Sequence, residues 1–189
     1  MKLLVVEHQH GAGGTHHVTA LVAALCARGI HARAFHHAPP PMDRPRDPWS
    51  VALHYAAERA AWWQAVQEGH EEADVVVTDR WVLSSYAVAR TLPRDTLVPL
   101  ALTLLVDAEL HTLPLPRLTL VLDAPDPVLD ARILARGVAV TDTDRACREV
   151  YRNLAVLRVW GAVWVDTDRP VEVVEAEVLA LALRALEVK

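Results

Sequence analysis

Five short runs of β type, Leu3–Val6, Ile30–Phe35, Ala73–Val77, Leu118–Leu122 and Ala162–Val165, alternate with longer stretches of helical period. No other feature constrains the fold as strongly. Leu3–Val6 is continuously apolar, as a strand covered on both faces of a parallel sheet must be. Between Thr15 and Arg28, residues Val18, Leu21, Val22, Leu25 and Cys26 recur at steps that put them on one helix face, and Gly29 supplies a stop. Helices are also expected over Ala52–Glu68, Leu97–Glu109, Val128–Ala135, Arg145–Val159 and Val171–Leu186. The segment His36–Trp49 holds five of the twelve prolines and must be irregular, because proline lacks a donor and fixes φ. This order predicts one three-layer α/β domain over residues 1–189, with a five-stranded, mostly parallel sheet flanked by helices. In such sheets ligands bind at the carboxyl ends of the strands.

Composition narrows the function. The net charge of −5 argues against a broad basic face for nucleic acid, although a local basic groove stays open. Cys26 and Cys147 lack the spacing of a CxxC redox or zinc motif and read as reduced thiols. The apolar run before Glu7 is too short for a signal peptide, and no stretch approaches the roughly 18 apolar residues of a membrane span. No membrane association and a cytoplasmic location are therefore expected. The odd component is histidine: seven of the ten lie between His8 and His37.

The first run leads into Glu7-His8-Gln9-His10-Gly11-Ala12-Gly13-Gly14-Thr15 and then a helix, the layout of a phosphate-binding loop. Gly11, Gly13 and Gly14 allow backbone N–H groups to converge on an anion, and the helix adds its positive end. Thr15 is placed to hold a magnesium ion through its hydroxyl. A tight strand-to-helix turn explains the same glycines. The full motif has glycine where His8 stands and lysine where Gly14 stands.

Taken whole, the chain resembles the thymidylate kinase family of P-loop nucleoside monophosphate kinases. The family's opening, Glu-Gly-x-Asp-Gly-Ala-Gly-Lys-Ser/Thr-Thr, aligns without gaps on Glu7 to His16. Leu53-His54-Tyr55-Ala56-Ala57-Glu58-Arg59 resembles its helix motif, and Thr78-Asp79-Arg80-Trp81-Val82-Leu83-Ser84-Ser85 its Ser-Asp-Arg-Tyr-x-x-Ser-Ser. Leu118 to Pro125, then Arg132 and Ala135-Arg136-Gly137, are similar to the fourth strand and the approach to the lid. Arg148 to Ala155 is similar to the helix beyond it. The resemblance covers nearly the whole chain in order.

The resemblance implies ATP and Mg²⁺ as cofactors. Gly11, Ala12, Gly13, Gly14, Thr15 and His16 would hold phosphate, and Thr15 with Asp79 the magnesium. Asp79, Arg80 and His10 occupy catalytic positions. Tyr55 would stack on a pyrimidine, and Arg59 and Arg80 would bind the acceptor's base and phosphate. The alternative for Tyr55 and Arg59 is a core tyrosine and a surface ion pair with a neighbour such as Glu58. Arg132, Arg136 and Arg145 bracket a short lid at residues 137–145. Family members are commonly homodimers, for which the apolar helices Ala52–Val66 and Leu97–Leu110 offer a surface.

Three departures qualify this. Gly14 replaces the lysine that neutralises the transferring phosphoryl group, His10 replaces an aspartate that contacts the acceptor's sugar, and His36-His37-Ala38-Pro39-Pro40 replaces the family's Arg-Glu-Pro-Gly-Gly. His8, His10, His16, His17, His36 and His37 are all expected near the loop. They would donate to phosphate as imidazolium, or ligate a transition metal as neutral imidazole, or share no ligand. The expected function is an ATP-dependent phosphotransferase acting on a pyrimidine nucleotide or a related acceptor, including a modified pyrimidine in DNA. The alternative is a catalytically impaired nucleotide-binding pseudo-kinase with a regulatory or partner-binding role.

Overall fold

The computed structural model describes residues 1–37, 48–70, 72–91, 108–109, 111–153 and 161–187, with backbone alone at 48, 49, 51, 52, 88 and 89. Among these residues five strands form one sheet: β1 (Lys2–His8), β2 (Ala32–His36), β3 (Val75–Asp79), β4 (Leu118–Asp123) and β5 (Val163–Asp166). Six helices surround it: α1 (Gly14–Cys26), α2 (Pro48–Gln67), α3 (Val82–Thr91), α4 (Asp126–Leu134), α5 (Asp142–Arg152) and α6 (Val171–Ala185). The sheet order is β2-β3-β1-β4-β5 and every pair is parallel. The α/β class and the flanked parallel sheet are as the alternation predicts.

Strand alternation divides the core in two. Leu4, Val6, Val75, Val77, Leu120 and Leu122 pack with Val18 and Leu25 of α1, Leu129 of α4 and Val174 and Val178 of α6. On the other face Leu3, Val5 and Val76 meet Trp62 of α2, Trp81 and Val82, while Val121 meets Leu83 of α3 and Tyr151 of α5. Leu4, Leu120, Leu122 and Leu129 are almost fully buried, each contributing roughly 1.5–3 kcal/mol of transfer free energy.

The starts of α2 and α5 differ from expectation. α2 starts at Pro48, inside the segment expected to be loop, because proline suits the first helical turn. α5 starts at Asp142 rather than Arg145. Thr141 accepts from the Asp144 backbone N–H while the Asp144 side chain accepts in return, a capping box that fixes the start. The residues 137–145 expected as a lid therefore comprise a short link and the first turn of α5. Most of the helix expected over Leu97–Glu109 and the end of that over Arg145–Val159 lie outside the described residues. Among the described residues no helix is long and apolar enough to cross a membrane.

The topology places the site. From β1 the chain runs through α1 to β2 on one side, and from β3 it returns across β1 to β4 on the other. The segments leaving β1 and β3 diverge to opposite faces, which opens a crevice at their carboxyl ends. Val6 and His36 are both in register with Asp79, so β2 and β3 end level and β1 runs two residues past them to His8.

Candidate functional site

A cavity of about 550 Å³ occupies that crevice. Its floor is His8 at the end of β1 with Gln9, His10 and Thr15; Gly11, Ala12, Gly13 and Gly14, between them, do not line it. Gly11 and Gly13 take the left-handed region, φ 91° and 83°, and a Cβ on Gly11 would fall 2.8 Å from the Leu129 carbonyl oxygen. Only glycine meets both demands there. Gly13 caps α1, no side chain among the described residues closes that end, and the first turn carries no acid. The N–H groups of a helix's first turn have no intrahelical acceptors, so this end offers donors and a positive dipole beside the cavity.

His8, in place of the motif's glycine, projects its imidazole across this floor. Nε2 lies 2.7 Å from Asp79 Oδ1, and Nδ1 lies 3.1 Å from the Gln9 carbonyl and 3.4 Å from Arg80. Thr15 donates to Asp79 Oδ2 at 2.6 Å, and His36 Nδ1 stands 3.5 Å from the same oxygen. Burial, assisted by the Arg80 charge, holds His8 below the ordinary histidine range despite Asp79. Burial alone would raise Asp79, but hydrogen bonds from His8 and Thr15 and the Arg80 charge hold its carboxyl well below the usual range. Asp79 is thus an ionised acceptor contacted from three elements.

Arg80 is a non-glycine residue at φ 72°, a conformation that costs on the order of 1–3 kcal/mol. Its N–H donates to the Val6 carbonyl and its own carbonyl accepts from Thr78. These bonds hold the turn that carries the guanidinium to the cavity wall.

Beneath lies Glu7, fully buried. It accepts from the Trp81 N–H at 2.9 Å, the Ser84 hydroxyl and the Tyr151 hydroxyl at 3.1 Å. Burial pushes the Tyr151 phenol well above its ordinary value, so it stays a donor. A carboxylate in an apolar strand was the signal for this network, but its partners are invisible until the fold assembles.

On the α2 side Tyr55 and Arg59 both line the cavity, as their spacing implies. Arg59 is 1% exposed and grips Glu109 through Nε at 2.6 Å and Nη2 at 2.8 Å, with Ser85 at 2.8 Å. Its partner is not the adjacent Glu58, which faces His37 Nδ1 at 3.2 Å. Tyr55 packs edge-on against His37 and His54.

The six histidines divide. His8, His10, His36 and His37 line the cavity, whereas His16 and His17 lie toward α6. The His16 side chain pairs with Glu175 Oε1 at 2.9 Å and does not line the cavity. His10 Nδ1 lies 3.0 Å from Asp144, joining the glycine turn to the first turn of α5. Arg132 donates to the Thr167 hydroxyl and carbonyl, Arg136 is exposed, and Arg145 pairs with Asp142 and Asp130; none of these three lines the cavity. No protein-family model and no curated protein matches the chain.

Proposed function

We propose that this domain transfers a phosphoryl group from ATP to a pyrimidine nucleotide or a related acceptor, in the manner of a thymidylate-kinase-type P-loop kinase with an altered loop. One observation carries the reading: a single cavity is lined by His8, Gln9 and His10 leading into the glycine turn, by the Thr15–Asp79 pair, and by Tyr55 and Arg59 on α2. Phosphoryl transfer requires chiefly positioning and charge stabilisation, and those residue types face each other across this space.

The Thr15 hydroxyl and an ionised Asp79 carboxylate, 2.6 Å apart, are hard oxygen donors of the kind that Mg²⁺ takes. Bound there, the ion would neutralise phosphate charge. The uncapped end of α1 would hold ATP phosphates through backbone N–H groups. Arg80 would clamp the acceptor with a planar fork that suits phosphate. The acceptor oxygen forms the new bond to the γ-phosphorus as the bond to the β,γ-bridging oxygen breaks and ADP leaves. His10, tied to Asp144 where the family has an aspartate, favours an acceptor whose sugar end differs from a free deoxynucleotide, such as a hydroxylated pyrimidine within DNA.

The second reading is nucleotide binding without transfer. The observation favouring it is the His8 ring, held below its usual range, standing where the missing lysine would begin. Losing one preorganised charge donor typically costs about 10²–10³ in rate. Transfer of labelled γ-phosphate to nucleoside monophosphates and to hydroxymethylpyrimidine DNA tests both. Product supports the kinase; saturable ATP binding by calorimetry with no product on any acceptor selects the second reading.

A further inference from the structure

Outside the cavity, on the seam between α1 and α6, His16, His17 and Glu175 each present one ligand atom, all within 4.8 Å of one another. His16 Nε2 already lies 2.9 Å from Glu175 Oε1. The two imidazoles stand edge to face with centroids 5.2 Å apart. His17 is 5% exposed, and among the described residues its Nδ1 has no hydrogen-bond partner. Leaving a buried polar atom without a partner is unfavourable, and nothing in the packing of this seam accounts for it.

We propose that His16, His17 and Glu175 form a transition-metal site, with Zn²⁺, Co²⁺ or Ni²⁺ as the class of ion bound. Two imidazoles and one carboxylate make the three-protein-ligand set of zinc sites that keep an open position for water. Imidazole ligation selects such ions over Mg²⁺ or Ca²⁺, which take oxygen. His16 is exposed and the Glu175 carboxylate half-exposed, so an ion has a route in.

The local field sets a limit on which ions fit. The positive end of α1 and the Arg132 charge oppose a cation here, while Glu175 supplies one compensating charge. A weakly held hard ion would lose that contest; an ion forming strong bonds to nitrogen is the one the site suits. The ring of His17 also packs over Gly13, whose ideal Cβ would lie 3.6 Å from its Cδ2. A bound ion therefore ties the glycine turn and α1 to α6.

Titration of tag-free protein with Co²⁺, followed by competition with Zn²⁺, tests the proposal. The expected result is one equivalent bound, with the visible d–d absorption of low-coordinate Co²⁺ and a rise in melting temperature. Loss of even an outer-shell partner lowers metal affinity about 10–100-fold, so His16→Gln and Glu175→Gln should each weaken binding at least about tenfold. Both positions are accessible enough to change without unfolding the core, which the metal-free melting temperature verifies. His70→Gln, exposed and away from both the seam and the cavity, should leave the titration unchanged. No Co²⁺ binding, undiminished binding in the two seam variants, or loss in His70→Gln would each overturn the assignment.

Discussion

An ideal Cβ on Gly14 falls 1.9 Å from Cδ2 of His8 and 2.3 Å from its Cγ and Nε2. The two departures from the phosphate-loop pattern are therefore a single arrangement. The imidazole on the strand end uses the volume in which a side chain at position 14 would start, and its anchor there is Asp79. A side chain at position 14 and the present His8 rotamer exclude each other.

Gly14→Lys alone should accordingly destabilise the fold. Overpacking costs typically about 1–3 kcal/mol, or roughly 2–12 °C in melting temperature for a domain of this size. It also displaces His8 from Asp79. His8→Gly combined with Gly14→Lys removes the collision and should recover most of that loss. If the lysine is the missing catalytic charge, the double variant should transfer phosphate faster than either single variant. Equal melting temperatures for Gly14→Lys and the double variant would show that the ring moves aside at no cost.

Arg59 and Glu109 form an almost fully enclosed pair, their side chains 1% and 8% exposed. Removing one member of a buried pair typically costs about 3–5 kcal/mol, whereas replacing both with apolar groups is often close to neutral. Arg59→Met should lower the urea midpoint strongly, and Arg59→Met with Glu109→Leu should restore much of it. If the double variant is no more stable than Arg59→Met, the pair is not the reason for the loss.

The fold was legible in the sequence because each buried strand is an apolar run. The expected strands stop short where the runs stop being apolar. β3 continues through Thr78 to Asp79 and β2 to His36 because both stay in register with the strand beside them, a constraint that hydropathy does not carry. Glu58 is the example of a partner for Arg59 in the alternative reading, yet adjacent helical residues do not face each other, and the partner in the structure lies 50 residues on. The histidines divide for a similar reason. Strand ends aim His8 and His36 at the cavity, while the first turn of α1 carries His16 and His17 round to α6. Gly14 read as a lost lysine; only three dimensions show the ring of His8 in its place.

His37 should make the protein sensitive to mild acid. Burial first, and the Arg59 charge second, hold it down to about 4 from the ordinary 6.5, against the pull of Glu58. The unfolded chain therefore binds the extra proton between those two values, and stability falls as pH drops through that window. His8 and His17, also lowered by burial, act in the same direction. Urea midpoints should fall between pH 7 and pH 4. His37→Gln should flatten that fall by about 1–3 kcal/mol, with its largest effect below the ordinary histidine pKa. An unchanged slope in His37→Gln would mean that the ring escapes to solvent when protonated.

His10 and Asp144 give a charge test of the link between the glycine turn and α5. Burial by itself would raise Asp144, but bonds from Thr141 and His10 hold its carboxyl below the ordinary range, so it is ionised near neutrality. His10→Asp puts a second carboxylate at the position of a nitrogen 3.0 Å from Asp144 Oδ1. Partly exposed charge pairs of this kind contribute only about 0–1 kcal/mol and are screened by salt. The variant should melt slightly lower than the parent in low salt and converge with it in high salt. His10→Asp with Asp144→Asn should abolish the difference, because the repulsion needs both charges. A deficit that persists in high salt and in the double variant would instead assign His10 a packing role in the turn.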